Sequence, residues 1–293
     1  MLSYAQQVKN ELAHKLDDRR DCLLAEFVAL LTVGVKKIDE RIEFASSNAA
    51  VARKVITLAK KFLPNVKPEV AAVRRKTLKK NICYVVRFIA AGAVQNFFDA
   101  LDYDGLLKRT RYKVAYLRGV FLAKGKVNRP EKQYLLQIVL LTVAEADFIR
   151  KLLEHLEFNA KIYRRQKKFI VWIREGDAIC DFLGMLGADN AVERFEVARN
   201  LKEVRMQVNR VVNMETAALN KSIEAAQRQL ADIKILLAKK VPLSKQLQEA
   251  MKVRLNNPTG TVGELAETIQ ISRESLQYRF KAIHELANKF SSK

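Results

Sequence analysis

The pattern readable in residues 20–101 is repeated in residues 113–187, and that duplication limits the chain to folds assembled from two like halves. In the first copy, residues 22–33 carry an apolar helical pattern and residues 36–40 read as a turn, before alternation over 41–45 marks a strand. A helix over 47–63 follows, with Val51, Val55, Leu58, Ala59 and Phe62 on one face. Strands over 69–75 and 81–88 and a short helix over 94–101 complete the unit. The second copy gives a helix over 114–123, a turn over 127–132, a strand over 134–140 and a helix over 144–156. Strands over 160–165 and 168–174 and a closing helix over 177–186 end it. Setting Val35 against Gly125 aligns the copies at an offset of 90 residues, and places Ala25, Ala29 and Val33 on Ala115, Gly119 and Ala123. Residues at i, i+4 and i+8 share one helix face, and small ones there let two backbones approach closely. The first helices of the two copies are therefore predicted to face each other.

Charge says what kind of partner such a chain meets. Its 293 residues, 49% of them hydrophobic, are enough for two domains with cores of their own. They carry 53 Lys and Arg against 32 Asp and Glu, a formal net charge of +21. Such an excess favours a polyanion, nucleic acid ahead of an anionic membrane surface. Residues 53–87 hold eleven basic residues and one acid, and residues 108–132 hold nine and one. Within the first run Arg74, Arg75, Lys79 and Lys80 are candidate phosphate contacts, and within the second Lys124 and Lys126. Residues 161–174, with six basic residues and no acid, add Arg164, Arg165, Lys167 and Lys168. The three cysteines form no CxxC pair, so a zinc site is not expected. Apolar runs are shorter than the roughly 20 residues of a membrane span, and the N-terminal residues have no signal-peptide core. A soluble, cytoplasmic, nucleoid-associated protein is expected.

Residues 117–125, L-R-G-V-F-L-A-K-G, resemble the LAGLIDADG helix of homing endonucleases. The resemblance implies an α+β fold in which residues 1–187 form a duplicated saddle, with repeats of about 20–101 and 113–187. In that family the paired helices form the seam and the strands sit on DNA. The position before the final glycine holds an acidic metal ligand in those nucleases, but here it is Lys124, and the 90-residue offset puts Gly34 at its counterpart. Hard divalent ions need oxygen ligands, usually carboxylates, and two-metal cleavage depends on them. The reading is therefore a scaffold without catalytic residues, metal or cofactor. A metal-dependent endonuclease using displaced acids such as Asp39, Glu40 or Glu131 is the enzymatic alternative. Lys124 instead adds a cation close to where DNA would lie.

The remainder reads as helical. Residues 188–208 are mixed and charged, as in a linker, and 209–293 form an all-α domain. A long helical pattern over 208–240 ends before Pro242, and a shorter one over 243–256 is stopped by N-N-P-T-G. A helix-turn-helix over 261–290 follows. Thr261 and Glu264 have capping-box spacing, and Val262, Leu265, Ala266 and Ile269 make an apolar stripe. Gln270 and Ile271 form the turn, Ser272 is an N-cap, and Leu276, Phe280 and Ile283 point inward at i, i+4 and i+7. Recognition helices read bases mainly through their N-terminal turns, which selects Arg273, Ser275 and Gln277 for base contact. Ser272, Tyr278, Arg279 and Lys281 are assigned to the DNA backbone.

Two further segments are similar to signatures of the bacterial WhiA family: N-R-V-V-N-M-E-T-A-A-L-N-K at 209–221 and S-Y-A-Q-Q-V-K-N-E-L at 3–12. With the degenerate LAGLIDADG duplication and the terminal helix-turn-helix, the resemblance spans nearly the whole chain. It implies a sequence-specific double-stranded-DNA-binding protein, linked in that family to sporulation, cell division or chromosome segregation. A turn between the last two helices shorter than usual for the family sets this chain apart. One helix-turn-helix per chain leaves monomer and weak homodimer both open. An RNA-binding protein is the third reading, disfavoured by the scarcity of aromatics for stacking unpaired bases. Trp172 is read as partly buried on its strand, and His14, His155 and His284 have no metal or catalytic spacing.

Overall fold

The computed structural model describes residues 2–38, 41–74, 82–89 and 91–291. Two compact units divide the chain, Met1–Lys202 and Glu203–Lys293. The first opens with α1 (Tyr4–His14), capped by Ser3, whose side chain accepts from the Gln6 amide. Then come α2 (Arg20–Gly34), β1 (Val35–Ile38), β2 (Arg41–Ser46), α3 (Ala49–Phe62), β3 (Pro68–Arg74), β4 (Ile82–Phe88) and α4 (Ala91–Asp99). After the short α5 (Tyr103–Leu106) the order recurs: α6 (Thr110–Lys124), β5 (Gly125–Val127), β6 (Leu136–Leu140), α7 (Val143–Glu154), β7 (Lys161–Arg165), β8 (Lys168–Ile173) and α8 (Gly176–Leu186). Helix α9 runs over Asp189–Ala238, and α10 (Lys245–Asn256), α11 (Val262–Thr268) and α12 (Arg273–Ser291) follow it.

Each repeat folds into a four-stranded antiparallel sheet of the same topology, β1-β2-β4-β3 and β5-β6-β8-β7. The duplicated saddle expected from sequence is therefore present, with one correction in each copy. The segments read as turns at 36–40 and 127–132 begin with strands, β1 and β5. Both are short edge strands, four and three residues long, so neither shows alternation that a period of two could reveal. Residues 39–40 and 75–81 lie outside the described residues, and with them Arg75, Lys79 and Lys80.

Helices α2 and α6 pack against each other as the central pair, and their limits, 20–34 and 110–124, keep the 90-residue offset. Both are buried around most of their circumference, as the apolar sequence of α2 requires, and in α6 that burial also encloses Arg118. A Cβ added at Gly119 would overlap the Glu26 carbonyl oxygen and lie 2.8 Å from the Ala29 Cβ. The small-residue stripe is thus the seam itself. Charged groups are buried against it, with Glu26 at their centre. Glu26 is fully enclosed, with Lys54 Nζ of α3 at 2.6 Å and Arg118 of α6 at 3.6 Å. Lys54 also donates to the carbonyls of Leu12 at 2.9 Å and Lys15 at 2.6 Å, and Arg118 Nε donates to Leu186 O at 2.8 Å. Burial pushes the Glu26 carboxyl up and the Lys54 amine down, while each opposes the other's shift by attraction. The network joins both repeats and α1 through one carboxylate.

Residues 188–208, read from sequence as a linker with some helix, are helical from Asp189 on, as the first part of α9. Their charged, mixed composition carries a helix that no Gly or Pro interrupts. In the second unit Ile233 and Leu236 of α9, Met251 of α10, Leu265 of α11 and Leu276, Phe280 and Ile283 of α12 share one core. Arg254 is enclosed among them, donating to Gln229 Oε1 at 2.9 Å and to Gly260 O at 2.6 Å, with its guanidinium over the Phe280 ring. It fastens the N-N-P-T-G loop to α9 and α12.

Candidate nucleic-acid interface

Caps fix the helix-turn-helix. Thr261 accepts from the Glu264 amide, and the Glu264 carboxylate accepts from the Thr261 amide at 2.7 Å, so both halves of the capping box are made. Gln270 turns the chain with φ of 53°, and Ser272 Oγ accepts from the Ser275 amide at 3.1 Å to start α12. With Leu276 and Ile283 fully buried, Arg273, Glu274, Gln277, Tyr278 and Lys281 are left exposed, Tyr278 at 76%. Arg273 and Gln277 stand one turn apart at i and i+4, and Ser275 is exposed between them. Arg279, assigned to the DNA backbone from sequence, is drawn toward α10: its guanidinium bonds Glu249 at 2.7 Å and its side chain is 14% exposed. Position 279 borders the inward Phe280, which draws it against α10 and away from the outer face.

In the first unit the sheets divide their residues between a helix side and an outer side. Residues directly opposite in a ladder share a face. On the second sheet Gln137 is opposite both Lys126 and Trp172, Lys161 is opposite Trp172, and Arg165 is opposite Lys168. These make an outer face with four cations and no acid, on which Gln137 Nε2 donates to the Tyr163 hydroxyl at 3.0 Å. Trp172 is half-buried there, with the Arg174 guanidinium 4.4 Å from its ring centroid. Arg164 falls on the opposite side, its guanidinium over the Phe169 ring, and Lys167 lies in the β7–β8 turn. The first sheet is less basic: Lys36, Arg41 and Arg87 share its outer face with Glu43 and Glu69, and Arg87 Nε bonds Glu43 at 2.7 Å. Arg74 ends β3 of that sheet.

Between the outer faces, where the seam helices end, lies a cleft of about 850 Å³. Lys9 of α1, Lys36, Lys124, Lys126, Arg129 and Lys168 line it, and no Asp or Glu among the described residues does. Burial, with Lys36 and Lys168 nearby, lowers the Lys124 amine against the opposing pull of Glu145. Burial also takes Lys9 down to about 7, helped by Lys126 and Lys124. Gly34, the partner position of Lys124, has no room for a side chain: a Cβ would meet the Phe44 ring at 2.5 Å. One metal-ligand position is therefore filled by a neighbouring ring and the other is a cation, so the residues present do not fit the cleavage metals. Among the described residues no three His, Cys, Asp or Glu come together as metal ligands. Lys9 and Lys36 were not singled out from sequence. Lys36 is within a segment read as a turn, and nothing local ties α1 to a site more than 100 residues downstream.

Three family domains match the chain in order: the WhiA N-terminal LAGLIDADG-like domain over residues 21–102, the WhiA LAGLIDADG-like domain over 113–205 and the WhiA C-terminal HTH domain over 208–287. The chain belongs to the WhiA family. A WhiA protein of Desulforamulus reducens is 35% identical over 99% of this chain and 97% of its own length. That of Bacillus subtilis is 34% identical over 98% and 96%. Each is described as a probable cell division protein. Full-length WhiA from T. maritima, known from a crystal structure, is 20% identical, with a TM-score of 0.60 over 99% of both chains. The separate N-terminal LAGLIDADG domain of WhiA gives 0.54 over 63% of this chain and 90% of that one. These likenesses agree with the two-sheet and helical architecture described above. No described helix is long and apolar enough to cross a membrane.

Proposed function

We propose that this WhiA-family chain is a sequence-specific double-stranded-DNA-binding protein that regulates transcription in the cytoplasm, at the nucleoid, and does not cleave its target. The observation that carries the reading is the exposed N-terminal face of α12, where Arg273, Ser275 and Gln277 stand clear of the core on a doubly capped helix-turn-helix. Arg and Gln make bidentate contacts to guanine and adenine in the major groove, and Ser272, Tyr278 and Lys281 then reach phosphates. The acid-free outer face of the second sheet supplies backbone affinity through Lys126, Arg165 and Lys168, with Arg164, Lys167 and Lys124 around it. Arg74, Arg75, Lys79 and Lys80 are proposed for the first repeat. The names of the relatives point to cell division as the process served; chromosome segregation and sporulation, which only the family resemblance implies, are proposed as related settings. The chain works as a monomer or weak homodimer.

In vitro selection of duplex sites followed by binding titrations tests this. Arg273→Ala or Gln277→Ala relaxes sequence preference by about 1–3 kcal/mol at one base position. Lys168→Ala weakens all sequences alike and reduces the salt slope by about one. An unchanged preference in both helix variants would remove the recognition assignment. Supercoiled plasmid incubated with pure protein and Mg²⁺ or Mn²⁺ stays intact on this reading; metal-dependent nicking overturns it.

A further inference from the structure

The cleft at the end of the seam is more than a stretch of basic surface. Its cations come from separate elements: Lys9 from α1, Lys36 from β1, Lys124 from α6, Lys126 from β5 and Lys168 from β8. Like charges brought together with no acid among the described lining residues repel one another, and a bound anion relieves that repulsion. Lys9 registers this repulsion. Its Nζ lies 6.0 Å from the Phe121 ring centroid, half-buried, with the Lys124 and Lys126 charges bearing on it. A volume of about 850 Å³ exceeds what one phosphate needs and falls in the range of pockets that enclose small organic ligands. The lining is also amphipathic: Ala45, Ile82, Val139 and Leu141 offer apolar ground beside the amines. A duplex lying across the sheets presents phosphates at its surface, whereas a small ligand can enter the cleft and reach Lys9.

We propose that this cleft binds a small molecule carrying a chain of phosphates, of the nucleoside di- and triphosphate class. Lys9 and Lys124 hold the phosphates from within, and Lys36, Lys126 and Lys168 hold them from the rim. Because the same cleft lies between the outer faces assigned to DNA, occupancy competes with duplex binding. Only that competition rests on the DNA reading; the binding itself does not.

The test is isothermal titration of the full chain, without DNA or divalent metal, using ATP and inorganic tripolyphosphate as probes and adenosine as the uncharged control. The expected result is one saturable site per chain for at least one phosphate probe and none for adenosine. Lys9→Met and Lys124→Gln each weaken it at least tenfold, and Lys60→Gln, an equal charge loss on an exposed face of α3, leaves it within twofold. Thermal melts establish that each variant folds, and Lys124→Gln keeps the test open if Lys9→Met does not. No heat from either phosphate probe at 5 mM overturns the proposal, as does multisite binding weakened equally by Lys60→Gln. A second titration displaces labelled duplex with the phosphate probe. Failure to bind in the first arm removes the cleft assignment and leaves the DNA reading standing; failure of the duplex to bind at all does the reverse.

Discussion

Replacing Gly119 by alanine tests whether the seam is set by backbone contact. In an ordinary helix interior, Gly→Ala stabilises by about 1 kcal/mol. At Gly119 the new methyl overlaps the Glu26 carbonyl oxygen and comes within 2.8 Å of the Ala29 Cβ. A backbone oxygen cannot swing aside as a side chain can, so α2 and α6 must separate. Overpacking of this kind costs about 1–3 kcal/mol, and a backbone contact on one side puts it near the upper end. Subtracting the propensity gain leaves a net loss of about 2 kcal/mol. For a unit the size of Met1–Lys202 that lowers the melting temperature by about 4–8 °C. Gly92 is the matched control. It is also helical, in α4, but an added Cβ has no atom within 4 Å, so Gly92→Ala raises stability by about 0.5–1 kcal/mol. The chain has one tryptophan, Trp172 on β8, so its fluorescence follows the first unit selectively during heating. If Gly119→Ala melts at or above the wild-type temperature, the close-approach account of the seam is wrong.

Three further outcomes are expected. Lys54→Met strands the Glu26 carboxylate with only Arg118 beside it and costs about 3–5 kcal/mol in denaturant unfolding, and pairing it with Glu26→Leu recovers most of the loss; an additive double variant would refute the coupling. The Lys9 amine ionises near 7 in the folded state against 10.5 ordinarily, so between those values the unfolded chain binds more protons and stability rises with pH, by at most about 1.4 kcal/mol per unit. Lys9→Met is accordingly the more stable protein at pH 7, with the advantage shrinking by pH 9.5, and parallel denaturation midpoints at both pH values would contradict this. Thr261→Ala removes the accepting half of the capping box and costs the second unit about 1 kcal/mol, read by circular dichroism in urea; no change in midpoint would mean that α11 is held by packing alone.

The features legible in the sequence were those written in short-range periodicity. Leu276, Phe280 and Ile283 announce the buried side of α12, and Thr261 with Glu264 announces the start of α11, because both patterns lie within a few residues of each other. The Ala25–Ala29 and Ala115–Gly119 stripes were readable for the same reason, and the duplication gave them a partner. Features made by distant segments were not readable. Phe44 occupies the space of a side chain at Gly34, and Lys54 reaches Glu26 from another helix. The ion pair of Arg279 with Glu249 of α10 likewise had no local sign in the sequence. Strands β1 and β5 were too short to show a period, and Lys9 gained its chemistry only from neighbours on α6 and β5.

The Phe44 ring beneath Gly34 makes a carboxylate hard to accommodate at that position. Gly34→Asp alone drives a side chain into that ring, and Phe44→Ala alone opens a hole in the core, at about 3–5 kcal/mol. Lys124→Asp alone supplies one carboxylate with no opposite number. A pair of carboxylates at positions 34 and 124 therefore needs three changes together, each of which alone damages packing or removes a cation. Positions 34 and 44 are therefore coupled through the core: a side chain at 34 fits only when the ring at 44 is made smaller, so a change at either position draws on the stability of the whole first unit.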